Sequence, residues 1–145
     1  MPRHRELTLQ SRLSELSQLG RELRQFCAEC SGLALDEQGV WELELAVNEA
    51  MSNVVKHAYR GREGETLRVR FEEWPDRVVV RLFDRGSAFD PSAVRQPRLD
   101  GTEESGLGLF LIARLVDEHR HDRSSGGENA LTLVKRGRAG ETRSG

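Results

Sequence analysis

The most constraining stretch of the chain lies between residues 43 and 58. There Leu43, Ala46, Val47, Ala50, Met51, Val54, Val55 and Ala58 recur at i, i+3, i+4, i+7 and i+8, the spacing of one buried face of an amphipathic helix. A helix with one such apolar stripe has to lay it on another apolar surface. Two segments downstream supply that surface. Leu67-Arg-Val-Arg-Phe71 alternates apolar and polar residues, and Val78-Val-Val-Arg-Leu-Phe83 is a β-branched run. Between them, Trp74-Pro75-Asp76-Arg77 carries turn chemistry, so the two pair as a hairpin.

The remaining elements follow the same rules. Leu7 and Leu9 alternate with polar neighbours within residues 3 to 10, a short half-buried strand. Leu13, Leu16, Leu19, Leu23, Phe26, Cys27 and Cys30 fall at helical spacing, and Ser31-Gly32 closes that helix. Asp36 is a suitable N-cap for the long helix, with Gly39 an early weak point. Tyr59 to Glu65 reads as a loop, and residues 84 to 106 form a long aperiodic stretch of the kind that builds lids and binding loops. Leu107 to about Glu118 is a third helix, Asp122 to Gly127 a turn, and Ala130 to Val134 a last strand. Strands and helices do not alternate regularly, so the predicted class is an α+β two-layer sandwich. The ordered domain is expected over residues 5–136, with a flexible polar tail over 137–145.

Composition narrows the function. The chain has 145 residues, 22 Lys and Arg against 24 Asp and Glu, and a formal net charge of −2. A near-neutral chain lacks the basic excess that counterion-driven nucleic-acid binding needs, so no direct nucleic-acid contact is expected. No apolar run reaches the ~18 residues of a membrane span, and no apolar leader region is visible at the N-terminus. Two cysteines make no disulfide framework. The expectation is one cytoplasmic domain with no membrane partner.

Three places carry candidate chemistry. Glu49, Asn53 and His57 are four residues apart, one above the other on the long helix. A carboxylate one turn from an amide oxygen can pair a base with a ligand for Mg²⁺, which prefers oxygen donors. Asp84-Arg85-Gly86 follows the β-branched strand directly. A carboxylate fixed there can accept the exocyclic amine of adenine, with the glycine leaving room for the ring. Ser105-Gly106-Leu107-Gly108-Leu109 opens the third helix, where free N–H groups suit a phosphate. Cys27 and Cys30 sit on an apolar helix face and read as core. His119 and His121 read as a solvated loop, and the tail arginines Arg136, Arg138 and Arg143 as solubilising.

Taken in order, the helix E-x-x-x-N, the strand-end D-x-G and the G-L-G-L helix start resemble the GHKL ATP-binding fold, and within it the anti-sigma factor serine kinases. The resemblance rests on Glu44 to Tyr59, Leu82 to Pro91 and Gly106 to Ile112. It implies a mixed sheet covered on one face by three helices, with a mobile ATP lid over residues 92 to 105. It implies Glu49 as general base, Asn53 as Mg²⁺ ligand with His57 beside the nucleotide, and Asp84 with Gly86 as adenine anchor. Gly106, Leu107, Gly108 and Leu109 would cradle the phosphates. The chain departs from the family at Ala88, where a second glycine of the D-x-G-x-G box is usual. It departs again at Glu128-Asn129, where Gly-Thr is usual, leaving Asn129 or Thr132 as the replacement contact.

The implied activity is an ATP- and Mg²⁺-dependent serine/threonine protein kinase acting as an anti-sigma factor. Its implied partners are an anti-anti-sigma antagonist bearing the acceptor serine, an RNA polymerase sigma factor, and a second copy of the chain in a homodimer. The alternative is a nucleotide-responsive binding module that sequesters its partner without catalysis.

Overall fold

A computed structural model describes residues 3–29, 35–60, 64–87 and 107–137. Five strands and three helices occur there: β1 (Arg3–Gln10), α1 (Leu16–Ala28), α2 (Glu37–Asn53), β2 (Thr66–Trp74), β3 (Arg77–Asp84), α3 (Leu107–Leu115), β4 (Glu118–Arg123) and β5 (Asn129–Arg136). The sheet order is β1-β2-β3-β5-β4. The lid expected at 92–105 and the tail from residue 138 lie outside the described residues.

Alternation sorts each strand into two faces. Leu67, Val69 and Phe71 of β2, Val78, Val80 and Leu82 of β3, and Leu131 and Leu133 of β5 are buried on one of them. The stripe of α2 expected from its spacing (Leu43, Ala46, Val47, Ala50 and Met51, continued by Val54 and Val55) is buried in the same core. Leu19, Leu23 and Phe26 of α1, Ile112 of α3, and Leu9, Tyr59 and Val116 belong to the same core, and α2 packs against both α1 and α3. Each fully buried leucine or valine contributes about 1.5–3 kcal/mol relative to exposure.

Asp36 caps α2, its Oδ1 accepting from Gly39 N at 2.7 Å, as its place before the helix predicts. The tight hairpin pairs Trp74 with Arg77 around Pro75-Asp76, and Arg77 stacks on the Trp74 ring at 4.9 Å.

Three expectations need correction. The sheet is not mixed, because all four ladders are antiparallel. A single helix between neighbouring strands returns the chain for a parallel pairing. Here the insertions are the pair α1–α2 between β1 and β2, and α3 with β4 between β3 and β5, and the extra reversal makes each ladder antiparallel. Second, the last helix ends at Leu115, where Lys135 Nζ donates to the Leu115 carbonyl at 2.7 Å. Third, His119 and His121 lie in the edge strand β4, paired with Leu133 and Leu131, and not in a loop. Cys27 packs against the core, as expected; Cys30 lies outside the described residues.

Candidate functional site

The helix-facing run of β3, Val78-x-Val80-x-Leu82, ends in a carboxylate. Asp84 continues that parity and is 6% exposed, so its charge has to be met by hydrogen bonds. Gly86 N donates to Asp84 Oδ1 at 2.9 Å, a short-range turn bond of the kind aspartate makes to the residue two ahead. Asn129, directly opposite Asp84 in the β3–β5 register, donates Nδ2 to the same Oδ1 at 2.8 Å. The amide also donates to Ser87 O at 3.0 Å and Gly86 O at 3.3 Å. Its own Oδ1 accepts from Arg123 Nη1 at 2.8 Å. Three acceptors around Nδ2 and a guanidinium on Oδ1 fix which way the amide points. Among the described residues no donor reaches Asp84 Oδ2.

This turn is stitched to the end of the long helix. After Asn53 the helix widens into a π-turn, Val54–Ala58, a feature common at functional sites. Ser87 N donates to Ala58 O at 2.7 Å. Tyr59, buried beside it, donates its hydroxyl to Thr66 O at 2.7 Å and accepts from Arg85 N at 2.8 Å. Gly86 is glycine for a reason other than the one the sequence suggested: a Cβ there would lie 2.3 Å from the Ala58 carbonyl oxygen. The room it leaves is filled by backbone of this chain.

Glu49 and Asn53 fall on the last turns of α2, both half-buried. Among the described residues neither side chain is tied up by a partner, so both leave oxygen donors available. The backbone of His57 lies in the π-turn. Leu107, Gly108 and Leu109 form the first turn of α3, which packs on α2. Ala88 and Gly106 lie outside the described residues.

Thr132 is not brought to this cluster. It pairs with Arg81 and accepts from Arg81 Nη1 at 3.2 Å, on the sheet face away from the helices. Asn129 stands beside Asp84 instead. The signal was parity: Asn129 is in phase with the core residues Leu131 and Leu133, and Thr132 is out of phase. Nothing in the sequence pointed to Arg123.

Comparison with known proteins gives the class of domain to which this two-layer α+β frame belongs. Residues 9–135 match the family model of the histidine kinase-like ATPase domain. The serine-protein kinase RsbW of Bacillus subtilis (strain 168) is 34% identical over 114 residues, 73% of this chain and 70% of that protein. Its counterpart in Listeria innocua is 34% identical over 124 residues, 79% of this chain and 78% of that protein. The Bacillus pumilus counterpart is 36% identical over 101 residues, 63% of this chain, and the match spans just 62% of that protein's length. The blue-light activated histidine kinase of Erythrobacter litoralis EL346 shares the fold, with a TM-score of 0.58 at 15% identity over 89% of this chain and 42% of that one. The chain belongs to the histidine kinase-like ATPase family and, within it, to the serine-protein kinases. No helix among the described residues is long and apolar enough to cross a membrane.

Proposed function

We propose that the protein is an ATP-dependent serine/threonine kinase acting as an anti-sigma factor, with an anti-anti-sigma antagonist as its phosphoacceptor. The observation that carries this reading is the joining of the Asp84–Gly86 turn to the end of α2 through Ser87 N and Ala58 O at 2.7 Å. That link ties the base-binding carboxylate to the helix that bears Glu49 and Asn53.

The chemistry asks little covalent work of the protein, since phosphoryl transfer depends on positioning and charge neutralisation. Asp84 accepts the adenine amine. The backbone at the start of α3, with Gly106, Leu107, Gly108 and Leu109, receives the phosphates, as helix N-termini do. Asn53 and Glu49 offer oxygens suited to a hard cation, and Asn53 is the assigned Mg²⁺ ligand. Bound Mg²⁺ supplies charge neutralisation at the phosphate oxygens. Glu49 takes the proton of the acceptor serine hydroxyl, and His57 borders the nucleotide.

The resemblance to anti-sigma factor kinases supports two further partners, a sigma factor and a second copy of the chain. Calorimetry with ATP, with and without Mg²⁺, tests the reading. Binding that strengthens with Mg²⁺ is expected. No binding at millimolar ATP removes the kinase and leaves a partner-binding scaffold.

A further inference from the structure

We propose that Asn129, clamped by Arg123, is a positioning residue that sets the Asp84 carboxylate to select purines carrying a 6-amino group. The inference rests on the nucleotide site proposed above and deepens it. Asp84 Oδ1 is saturated by two donors, Gly86 N at 2.9 Å and Asn129 Nδ2 at 2.8 Å. Oδ2 receives no donor from any described residue, so one acceptor remains, and its direction is set by what holds the other oxygen. A carboxylate held in this way rewards a ligand that presents a donor and gives nothing to one that does not.

The holding is done from three strands at once. Asn129 at the start of β5 reaches Asp84 at the end of β3 and the carbonyls of Gly86 and Ser87 just beyond it. Arg123 at the end of β4 donates to Asn129 Oδ1 at 2.8 Å and to Gly86 O at 3.3 Å. Asn129 would not touch the nucleotide; it acts through Asp84. A shorter hydroxyl side chain at 129 could not span Asp84 and both carbonyls together, so this arrangement belongs to the Asn–Arg pair.

The test compares dissociation constants for ATP and for purine riboside triphosphate, which differs in lacking the 6-amino group. They are measured by calorimetry on the wild type, Asn129→Ala and Arg123→Ala, with thermal melts to check folding. The wild type should prefer ATP by about tenfold, the size of one well-made hydrogen bond to a charged group. Asn129→Ala should lose most of that preference while its affinity for the purine analogue stays within about twofold of wild type. Arg123→Ala changes an exposed side chain of the edge strand and should show the same selective loss, reduced to about twofold to threefold. Equal weakening of both ligands in the variants, or an unchanged ratio, overturns the positioning role. If the wild type binds neither nucleotide, the nucleotide site itself fails, which is a distinct result. Should Asn129→Ala not fold, the ratio in Arg123→Ala decides.

Discussion

A Cβ at Gly86 would sit 2.3 Å from the carbonyl oxygen of Ala58 and 2.8 Å from the Ala58 Cβ. The two nearest obstructing atoms, the Ala58 carbonyl oxygen and carbon, are backbone, and the Cβ is fixed to it, so none can swing aside as the end of a flexible side chain can. Gly86→Ala is therefore expected to destabilise the fold by about 1–3 kcal/mol, the usual cost of overpacking, and to part the Asp84 turn from the end of α2. Denaturant melts and ATP titrations of the same variant check both effects. An unchanged midpoint contradicts the packing argument.

Asn53→Ala should separate metal from base recognition. With Mg²⁺ present, ATP affinity should fall about tenfold or more, the range seen when metal sites lose supporting ligands. Without Mg²⁺ it should match the wild type. Equal loss under both conditions would give Asn53 a role in the pocket other than holding the ion.

The sheet face away from the helices predicts an acid sensitivity. Glu72 is buried there, accepting from Arg70 Nε at 2.9 Å, Arg81 Nε at 3.1 Å and Trp74 Nε1 at 3.1 Å. Burial alone would raise its carboxyl, but the hydrogen bonds from Arg70, Arg81 and Trp74, with the Arg81 charge, hold it below its ordinary 4.5. A carboxyl lowered in the folded state stabilises the fold above its unfolded value, and that stability is lost as the pH falls through the folded one. Glu72→Gln should cost about 1.5–3 kcal/mol at neutral pH, toward the lower end because both arginines stay near water. The gap to wild type should narrow below pH 4.5 in urea melts taken across the acid range.

His121 works at milder pH. Burial and then the charge of His119 push its imidazole below the ordinary 6.5, with Asp122 opposing. The unfolded chain then binds the proton more readily than the folded one, so stability declines as the pH falls through 6.5. His121→Gln should flatten that part of the stability profile while leaving the Glu72 part in place.

Much of this was legible residue by residue. The α2 stripe, the hairpin around Pro75-Asp76 and the Asp36 cap follow from local spacing and turn chemistry, and each is seen in the fold. β4 was harder to see. Glu-His-Arg-His-Asp-Arg has no apolar residue, and it is a strand because the edge of β5 offers it a ladder. The π-turn at Val54–Ala58 is likewise tertiary, set by packing against Gly86 and Ser87. For the candidate site, Asp84 and Gly86 could be found from their place at a strand end. Asn129 could have been preferred to Thr132 from strand parity, whereas Arg123 needed the neighbouring strand to be known.

The central claim is phosphoryl transfer to a protein serine with Glu49 as base. Its most direct test incubates the pure protein and a candidate antagonist with γ-labelled ATP and Mg²⁺, beside Glu49→Ala. The account predicts label on an antagonist serine, slowed about 10²–10⁴-fold in Glu49→Ala while ATP binding is retained. Equal labelling by the variant, or none by a wild type that binds ATP, would contradict it.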